Sequence, residues 1–218
     1  MTDAAGFFDA HQRTTIEAAM ARIIPTDDTP GAREAGTIDF LDRYLSGTAY
    51  VYAKPDGSGF EELTGLRQQA WEQRIHAIRE RYTTGVKALD DTARRRHDAQ
   101  FASLTEQQQD EVLRELEAGS QEQEAELETA RISMYGAPVE PALQQTSAEV
   151  DLGFIPMLAL HTRQGFYSDP IYGGNRDQVG WRTIGFPGPA SLLEVHAGRY
   201  STLDYFADNR VHPGTQED

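Results

Sequence analysis

The 218-residue chain contains no cysteine, and this absence removes several kinds of site at once. Disulfides, iron–sulfur clusters, thiolate zinc sites, a cysteine nucleophile and covalent haem attachment all require a thiol. The apolar stretches also fall well short of the roughly 18 residues that a membrane-spanning helix needs. We therefore expect no direct insertion of this chain into a membrane.

Positive charge is scarce as well. The chain has 20 basic and 35 acidic side chains, which gives a formal net charge of -15. A surface this negative repels the phosphate backbone of nucleic acids and the headgroups of anionic lipids. We therefore expect neither nucleic acid nor an anionic membrane surface as a partner.

The features of an export signal are missing from residues 1–15. This stretch has no basic start, no apolar run and no pair of arginines. The sequence as written therefore predicts a cytoplasmic protein. A periplasmic or extracellular location is expected only if a partner or an upstream start codon supplies a signal.

Helical periodicity dominates the first two-thirds of the chain. Asp9 and Gln12 have the spacing of a capping box, and Pro25 predicts the end of the helix that follows. Thr105 and Gln108 repeat the capping pattern before another helix. Apolar residues recur at helical spacing in three stripes: Ile16, Met20, Ile23 and Ile24; Ile38, Leu41 and Leu45; Leu63, Leu66, Ala70, Trp71, Ile75, Ile78, Tyr82, Val86, Leu89 and Ala93.

These patterns predict a mostly α-helical single domain over residues 1–218. Residues 119–153 are polar and then irregular, so we expect an insertion that projects from the body. Residues 191–218 are predicted to form a C-terminal tail. The aromatic stretch from Tyr50 to Phe60 is compatible with a small hairpin or a loop.

Periodicity stops in residues 166–188, which are rich in glycine, proline and aromatic side chains. We expect a long structured loop, because its many large aromatic side chains are costly to leave in water. Gly173 and Gly174 permit positive φ angles or a close backbone approach. Such a loop is either a rigid cap on its own domain or a preorganised docking surface for a partner.

The residues for chemistry are sparse. None of the six histidines forms an H-E-x-x-H or E-x-x-H pair, and His161 in an apolar segment indicates a hydrogen-bonded, partly buried side chain. Asp169, Asn175 and Asp177 offer oxygens for calcium, but structural turns explain them more simply. No nucleophile elbow and no dinucleotide-binding G-x-G-x-x-G appears. We therefore expect no catalytic residue, metal or cofactor in this chain.

Residues 166–188, FYSDPIYGGNRDQVGWRTIGFPG, resemble the signature of the gluconate 2-dehydrogenase subunit 3 family. Residues 21–45, ARIIPTDDTPGAREAGTIDFLDRYL, are similar to the family's first motif. The resemblance implies a small, non-catalytic subunit that binds and stabilises a large flavoprotein of the glucose–methanol–choline type. It implies that FAD belongs to that sugar or alcohol dehydrogenase, and that a cytochrome subunit joins some complexes.

On this resemblance we predict that the C-terminal segment is the main surface for the flavoprotein, with Trp181 as an anchor. Asn175 and Arg176 are expected to hold its shape. The predicted interface residues are Phe166, Tyr167, Asp169, Pro170, Tyr172, Gly173, Gly174, Asn175, Arg176, Asp177, Trp181, Phe186 and Pro187. The alternatives are a stand-alone helical enzyme with a carboxylate–histidine site, and a helical adaptor without a flavoprotein partner.

Overall fold

The computed structural model of the chain describes residues 6–119, 148–189 and 191–200. These ranges contain eight α-helices and no strand, which confirms the predicted mostly α-helical fold. The helices are α1 (Ala10–Ile23), α2 (Thr37–Ser46), α3 (Gly65–His97), α4 (residues 106–119 of the described part), α5 (Ala148–Asp151), α6 (Phe154–Tyr167), α7 (Val179–Thr183) and α8 (Leu192–His196). Short 3₁₀ turns lie at Thr48–Tyr50, Phe101–Ser103, Pro170–Tyr172 and Arg176–Gln178.

Both predicted capping boxes form. The Asp9 carboxylate accepts the Gln12 backbone N–H at 2.8 Å, and the Gln12 side chain accepts the Asp9 N–H at 3.1 Å. Thr105 and Gln108 make the same reciprocal pair at the start of α4. Each box satisfies backbone donors that the first turn of a helix leaves without partners.

The hydrophobic core lies between α1, α2, α3 and α6. α2 packs against α1 and α6, and α3 crosses all three. The predicted stripes supply its centre, where the side chains are at most 2% exposed: Ile16, Met20, Ile38, Leu41, Leu45, Ile78, Tyr82 and Leu89. Met157 and Leu158 of α6 complete this centre and are fully buried.

α3 is 33 residues long and extends past the body at its N-terminal end. None of its first ten residues is buried, and Leu66 is 84% exposed. Leu66 and Ala70 therefore continue the apolar stripe of a helix that does form, but both are exposed. Periodicity identifies one face of a helix, but it does not say whether another element covers that face.

Ion pairs connect α3 to α4, and close packing connects it to α6. Arg95 and Arg96 both pair with Glu115 of α4, and these exposed ion pairs join the two helices. Phe154 of α6 fills the space beside Gly85, where a Cβ atom would collide with its ring. The glycine therefore lets α6 approach α3 closely.

The predicted insertion meets the body at its C-terminal end. Glu149 is buried, and Val150 and Leu152 pack against the core. These residues therefore belong to the body rather than to a projecting arm. Residues 120–147 of the predicted insertion and residues 201–218 of the predicted tail lie outside the described residues.

The aromatic stretch from Tyr50 to Phe60 is a loop closed by one bridge between Ala53 and Phe60. It packs on the turn at Pro170–Tyr172, where the Tyr172 and Phe60 rings are 5.6 Å apart. The Tyr172 hydroxyl accepts the Ala53 N–H at 3.2 Å. The loop and the turn thus form two walls of the groove described below.

Candidate functional site

The segment 166–188 is more helical than the predicted loop. Phe166 and Tyr167 form the last turn of α6, and the rest of the segment includes two 3₁₀ turns and α7. The Asp169 carboxylate starts the first of these turns by accepting the Ile171 N–H at 2.9 Å. Turns this short escape a periodicity argument because they contain less than two helical repeats.

Asn175 holds this segment together from the inside. The side chain is fully buried, its amide N–H donates to the Ser168 carbonyl at 2.9 Å, and its Oδ1 accepts the Gly180 N–H at 2.8 Å. Its φ of 47° lies in the left-handed region, which asparagine tolerates better than most residues. Asn175 therefore shapes the turn, as the sequence predicts.

Two glycines allow the segment to lie directly on α6. A Cβ atom on Gly174 would collide with the Gly165 carbonyl, and one on Gly180 would collide with the Phe166 carbonyl. The predicted close backbone approach at Gly174 is thus confirmed. The contact fixes the segment against a helix end and leaves it little freedom to move.

Trp181 contributes to the interior of the isolated chain. The residue is 6% exposed, and its indole N–H donates to the Tyr167 carbonyl at 2.8 Å. Its ring packs edge-on against Phe186 at 5.5 Å and covers Gly188. The ring therefore already has an intramolecular environment in the isolated chain, and its role as an anchor for the partner stays a prediction.

Arg176 shapes the segment from the outside. Its guanidinium donates to Asp39 of α2 at 2.7 Å, and its backbone N–H donates to the Ala35 carbonyl at 2.9 Å. The side chain is 57% exposed, so this is a surface pair. The contact joins the C-terminal segment to the start of α2.

Burial divides the predicted interface residues into three groups. The buried members belong to the body, and the exposed members are the part of the segment that a partner can reach. Phe166, Gly174, Asn175 and Trp181 are buried; Asp169, Pro170, Tyr172, Gly173 and Phe186 are half-buried; Tyr167, Arg176, Asp177 and Pro187 are exposed. Their role as an interface stays a prediction.

A groove of about 480 Å³ runs between α2, α3, α6, the Tyr50–Phe60 loop and the turn at Pro170–Tyr172. We call it the aromatic groove. Its aromatic lining consists of Phe40, Tyr44, Tyr50, Trp71, Tyr167 and Tyr172. Arg74, Glu149, Gln164 and Ser168 supply its polar groups, and Val51 completes it.

A charged network lies beneath this groove. Glu149 pairs with Arg74 of α3 and with His161 of α6, and the Arg74 Nε donates to Glu149 Oε2 at 2.8 Å. The other nitrogen of His161 forms a 2.8 Å hydrogen bond with the Tyr82 hydroxyl. Because a carboxylate only accepts, the Nε2 of His161 carries the hydrogen of its bond to Glu149. The network therefore ties α5 to α3 and α6.

Burial and charge act in opposite directions on Glu149. Burial alone would raise the pKa of this carboxyl group, but the hydrogen bond and charge of His161, together with Arg74, lower it below its usual value of 4.5. Burial, with the nearby Glu149 charge, raises the pKa of Tyr82 well above its usual range. The Tyr44 pKa is raised for the same two reasons, and its hydroxyl donates to Glu149 at 3.4 Å.

Most of the aromatic groove is not predictable from the sequence. Of its lining residues, the predicted interface contains Tyr167 and Tyr172, but not Trp71, Arg74 or Glu149. The two tyrosines flanking Val51 were the available signal for one wall. Glu149 gave no signal, because it lies in the predicted insertion and meets His161 only through the fold.

The described residues offer neither a metal site nor a membrane-spanning helix. They contain no cluster of three acidic or histidine side chains that could hold a metal ion. The Asp169 and Asn175 side chains accept backbone N–H groups of the segment, and the Asp177 backbone carbonyl accepts from Arg182. Among them, no helix has the length and apolar character needed to cross a bilayer.

Comparison with other proteins gives one match. No curated protein and no solved structure is significantly similar to the chain. The sequence matches the gluconate 2-dehydrogenase subunit 3 family over residues 10–188, which include the core helices, the aromatic groove and the C-terminal segment. The chain therefore belongs to the gluconate 2-dehydrogenase subunit 3 family, whose members are subunits of a multi-subunit dehydrogenase complex.

Proposed function

We propose that this chain is the small, cofactor-free subunit of an FAD-dependent dehydrogenase that oxidises a sugar or an alcohol. Its partner is a large flavoprotein of the glucose–methanol–choline type, which holds the FAD and performs the hydride transfer. The observation that carries the proposal is the family match over residues 10–188. A cytochrome subunit is a further candidate component.

The expected contribution of the chain is thermodynamic. A subunit that binds only the folded flavoprotein stabilises it by about 2.7 kcal/mol when its free concentration is 100 times the dissociation constant. A permanent interface of this kind buries about 2,000 Å² or more. The tightly fixed segment 166–188 suits this role, because a preorganised surface loses little conformational entropy on binding.

The rival reading as a stand-alone enzyme has one structural feature in its favour, the carboxylate–histidine pair of Glu149 and His161. However, the His161 side chain is fully buried, and both ring nitrogens are engaged by Tyr82 and Glu149. A general base must have a nitrogen within reach of the substrate proton. The pair therefore supports a structural role.

The proposal is tested by recovering the native complex. A tagged form of this chain is purified from the cells that make it, and the associated proteins are identified by mass spectrometry and by flavin and haem absorbance. We expect a large flavoprotein in stoichiometric amount. That flavoprotein is then expressed with and without the chain, and its FAD content and melting temperature are measured.

Two results decide between the readings. Higher FAD content and a higher melting temperature with the chain support the accessory role, whereas equal values contradict it. Dehydrogenase or hydrolase activity of the purified chain alone would favour the enzyme reading. A complex without any flavoprotein would favour the adaptor reading.

A further inference from the structure

The aromatic groove combines the features of a protein-binding site. Six of its lining residues are aromatic, and tyrosine, tryptophan and arginine are the residues that contribute most at protein interfaces. Tyr167 at its edge is 40% exposed, although it follows the fully packed Phe166. Ala70 and Ala77 of α3 are exposed and extend the apolar surface beside Trp71.

The rim of the groove is positive on an otherwise acidic protein. Arg43 lies over the Tyr50 ring at 5.4 Å, and Arg67 lies over the Tyr52 ring at 4.9 Å. Within the described ranges neither arginine has a carboxylate at ion-pair distance, although acidic side chains outnumber basic ones by 35 to 20.

Some arginines elsewhere in the structure are neutralised. Arg22 pairs with Asp110, and Arg95 and Arg96 pair with Glu115. At the groove, two arginines without a described carboxylate partner lie against Tyr50 and Tyr52, beside the aromatic lining. An occupant with carboxylates at its flanks would complement this rim, whereas a basic segment would not.

We propose that the aromatic groove receives a short acidic segment of the flavoprotein partner, which inserts an aromatic or aliphatic side chain between Tyr44, Tyr167 and Tyr172. This inference rests on the proposed function and assigns its docking site. The groove is continuous with the exposed part of segment 166–188 through Tyr167. The main contact is thus centred beside that segment and not on Trp181.

The test measures the affinity of purified chain variants for the flavoprotein found in the native complex. Gln164 is exposed and lines the groove, so Gln164→Trp fills the groove without disturbing the core, and Gln164→Ala is its control. Tyr167→Ala removes an aromatic wall, and Tyr167→Phe keeps it. We expect the filling and truncating variants to bind about 30-fold more weakly or worse. Ile184→Ala, which changes a 52% exposed residue on the same segment outside the groove, should stay within threefold.

The charge component is tested separately. Arg67→Glu should lower the association rate roughly tenfold at low salt and reduce its dependence on salt. Arg114→Glu makes the same change in net charge on α4, at a side chain that is 70% exposed, and should leave the rate near that of the wild type. Melting curves of all variants establish that each is folded.

The outcomes separate this inference from the function on which it rests. Wild-type binding that survives every groove variant overturns the groove assignment but leaves the accessory role intact. If the wild-type chain does not bind the flavoprotein, both fail. Concentration-dependent dimers that Gln164→Trp abolishes would assign the groove to a second copy of this chain and overturn the proposal.

Discussion

At the scale of single residues, Trp181 stabilises the isolated chain. Its ring is 6% exposed and its indole N–H is satisfied by the Tyr167 carbonyl. Trp181→Ala removes this ring from a packed site, which typically costs about 3–5 kcal/mol. We expect the melting temperature of the chain alone to fall by roughly 10 °C. Ile184→Ala is the matched control, because the 52% exposed Ile184 should change stability by less than about 0.5 kcal/mol.

A lower melting temperature of Trp181→Ala would show that the Trp181 ring stabilises the isolated chain and does not act only at an interface. An unchanged melting curve of Trp181→Ala, together with lost binding of the flavoprotein, would contradict it and restore the anchor role that the sequence predicts.

Glu149 makes stability depend on pH in the acid range. Burial raises the pKa of its carboxyl group, but His161 and Arg74 lower it below 4.5 overall. A lowered pKa in the folded state means that the stabilisation is present above the unfolded value and is lost as the pH falls through the folded value. We expect the melting temperature to drop on acidification below about pH 4.5 through this group.

Glu149→Gln tests this assignment. Removing one partner of a buried pair costs about 3–5 kcal/mol, so the variant should be less stable at pH 7. Its melting temperature should also fall less than that of the wild type when the pH is lowered below about 4.5. Glu17→Gln, which alters an exposed pair with Arg33, serves as the control and should retain the wild-type profile. If the melting temperatures of the wild type and Glu149→Gln fall equally on acidification, Glu149 is not the group responsible.

At the scale of helices, the approach of α6 to α3 depends on Gly85. Alanine normally stabilises a helix interior relative to glycine by about 0.5–1 kcal/mol. At Gly85 the added methyl group collides with the Phe154 ring, so we expect Gly85→Ala to destabilise the chain despite its better propensity. Gly119→Ala should have the opposite effect, because no atom of the described residues lies within 4 Å of a Cβ atom there.

Thermal or urea unfolding of the two variants measures this difference. Stabilisation by both substitutions would mean that Phe154 moves aside at no cost and that Gly85 is not required for the contact. Both variants replace glycine with alanine and so gain the same helix propensity. A difference between their stabilities therefore reports the packing around each site.

The segment 166–188 shows how elements are coupled. Asn175 reaches Ser168 and Gly180, and Arg176 reaches Asp39 of α2. Polar contacts thus bind the segment to itself and to a distant helix. The same segment forms one wall of the aromatic groove through Tyr172, so its internal order determines the shape of the proposed docking site.

At the scale of the whole molecule, the net charge of -15 opposes the compact state. Like charges repel one another, and salt screens them over about 10 Å at 0.1 M. We expect the melting temperature at pH 7 to rise between low salt and about 0.5 M sodium chloride. The increase should shrink near the sequence isoelectric point of about 4.7, where the net charge is close to zero. A salt response of equal size at both pH values would show that another effect dominates.

The docking site and the charge distribution are linked at this scale. The excess acid is spread over the chain, while Arg43 and Arg67 stand at the groove without carboxylate partners in the described part of the chain. Long-range repulsion therefore disfavours acidic partners in general, whereas the rim favours one acidic segment at one place. This arrangement adds specificity and sets the rate of association more than the final affinity.

The sequence by itself determined the helical architecture and the family. Apolar spacing placed Ile16, Leu41 and Tyr82 in the core, and capping pairs such as Asp9 and Gln12 marked helix starts, because both are local patterns governed by helix geometry. The motif in residues 166–188 carried the family resemblance. Asn175 was correctly interpreted as a turn-forming residue, since its tolerance of positive φ is intrinsic.

Only the tertiary structure decided which side chains are buried, paired or free. Leu66 continues a helical stripe but is 84% exposed, and Trp181 lies in a loop-like segment but is only 6% exposed. Glu149 and His161 meet because α5 and α6 pack together, which no spacing along the chain encodes. The aromatic groove likewise exists only where separate helices and loops come together, because contacts between distant segments depend on packing and not on local periodicity.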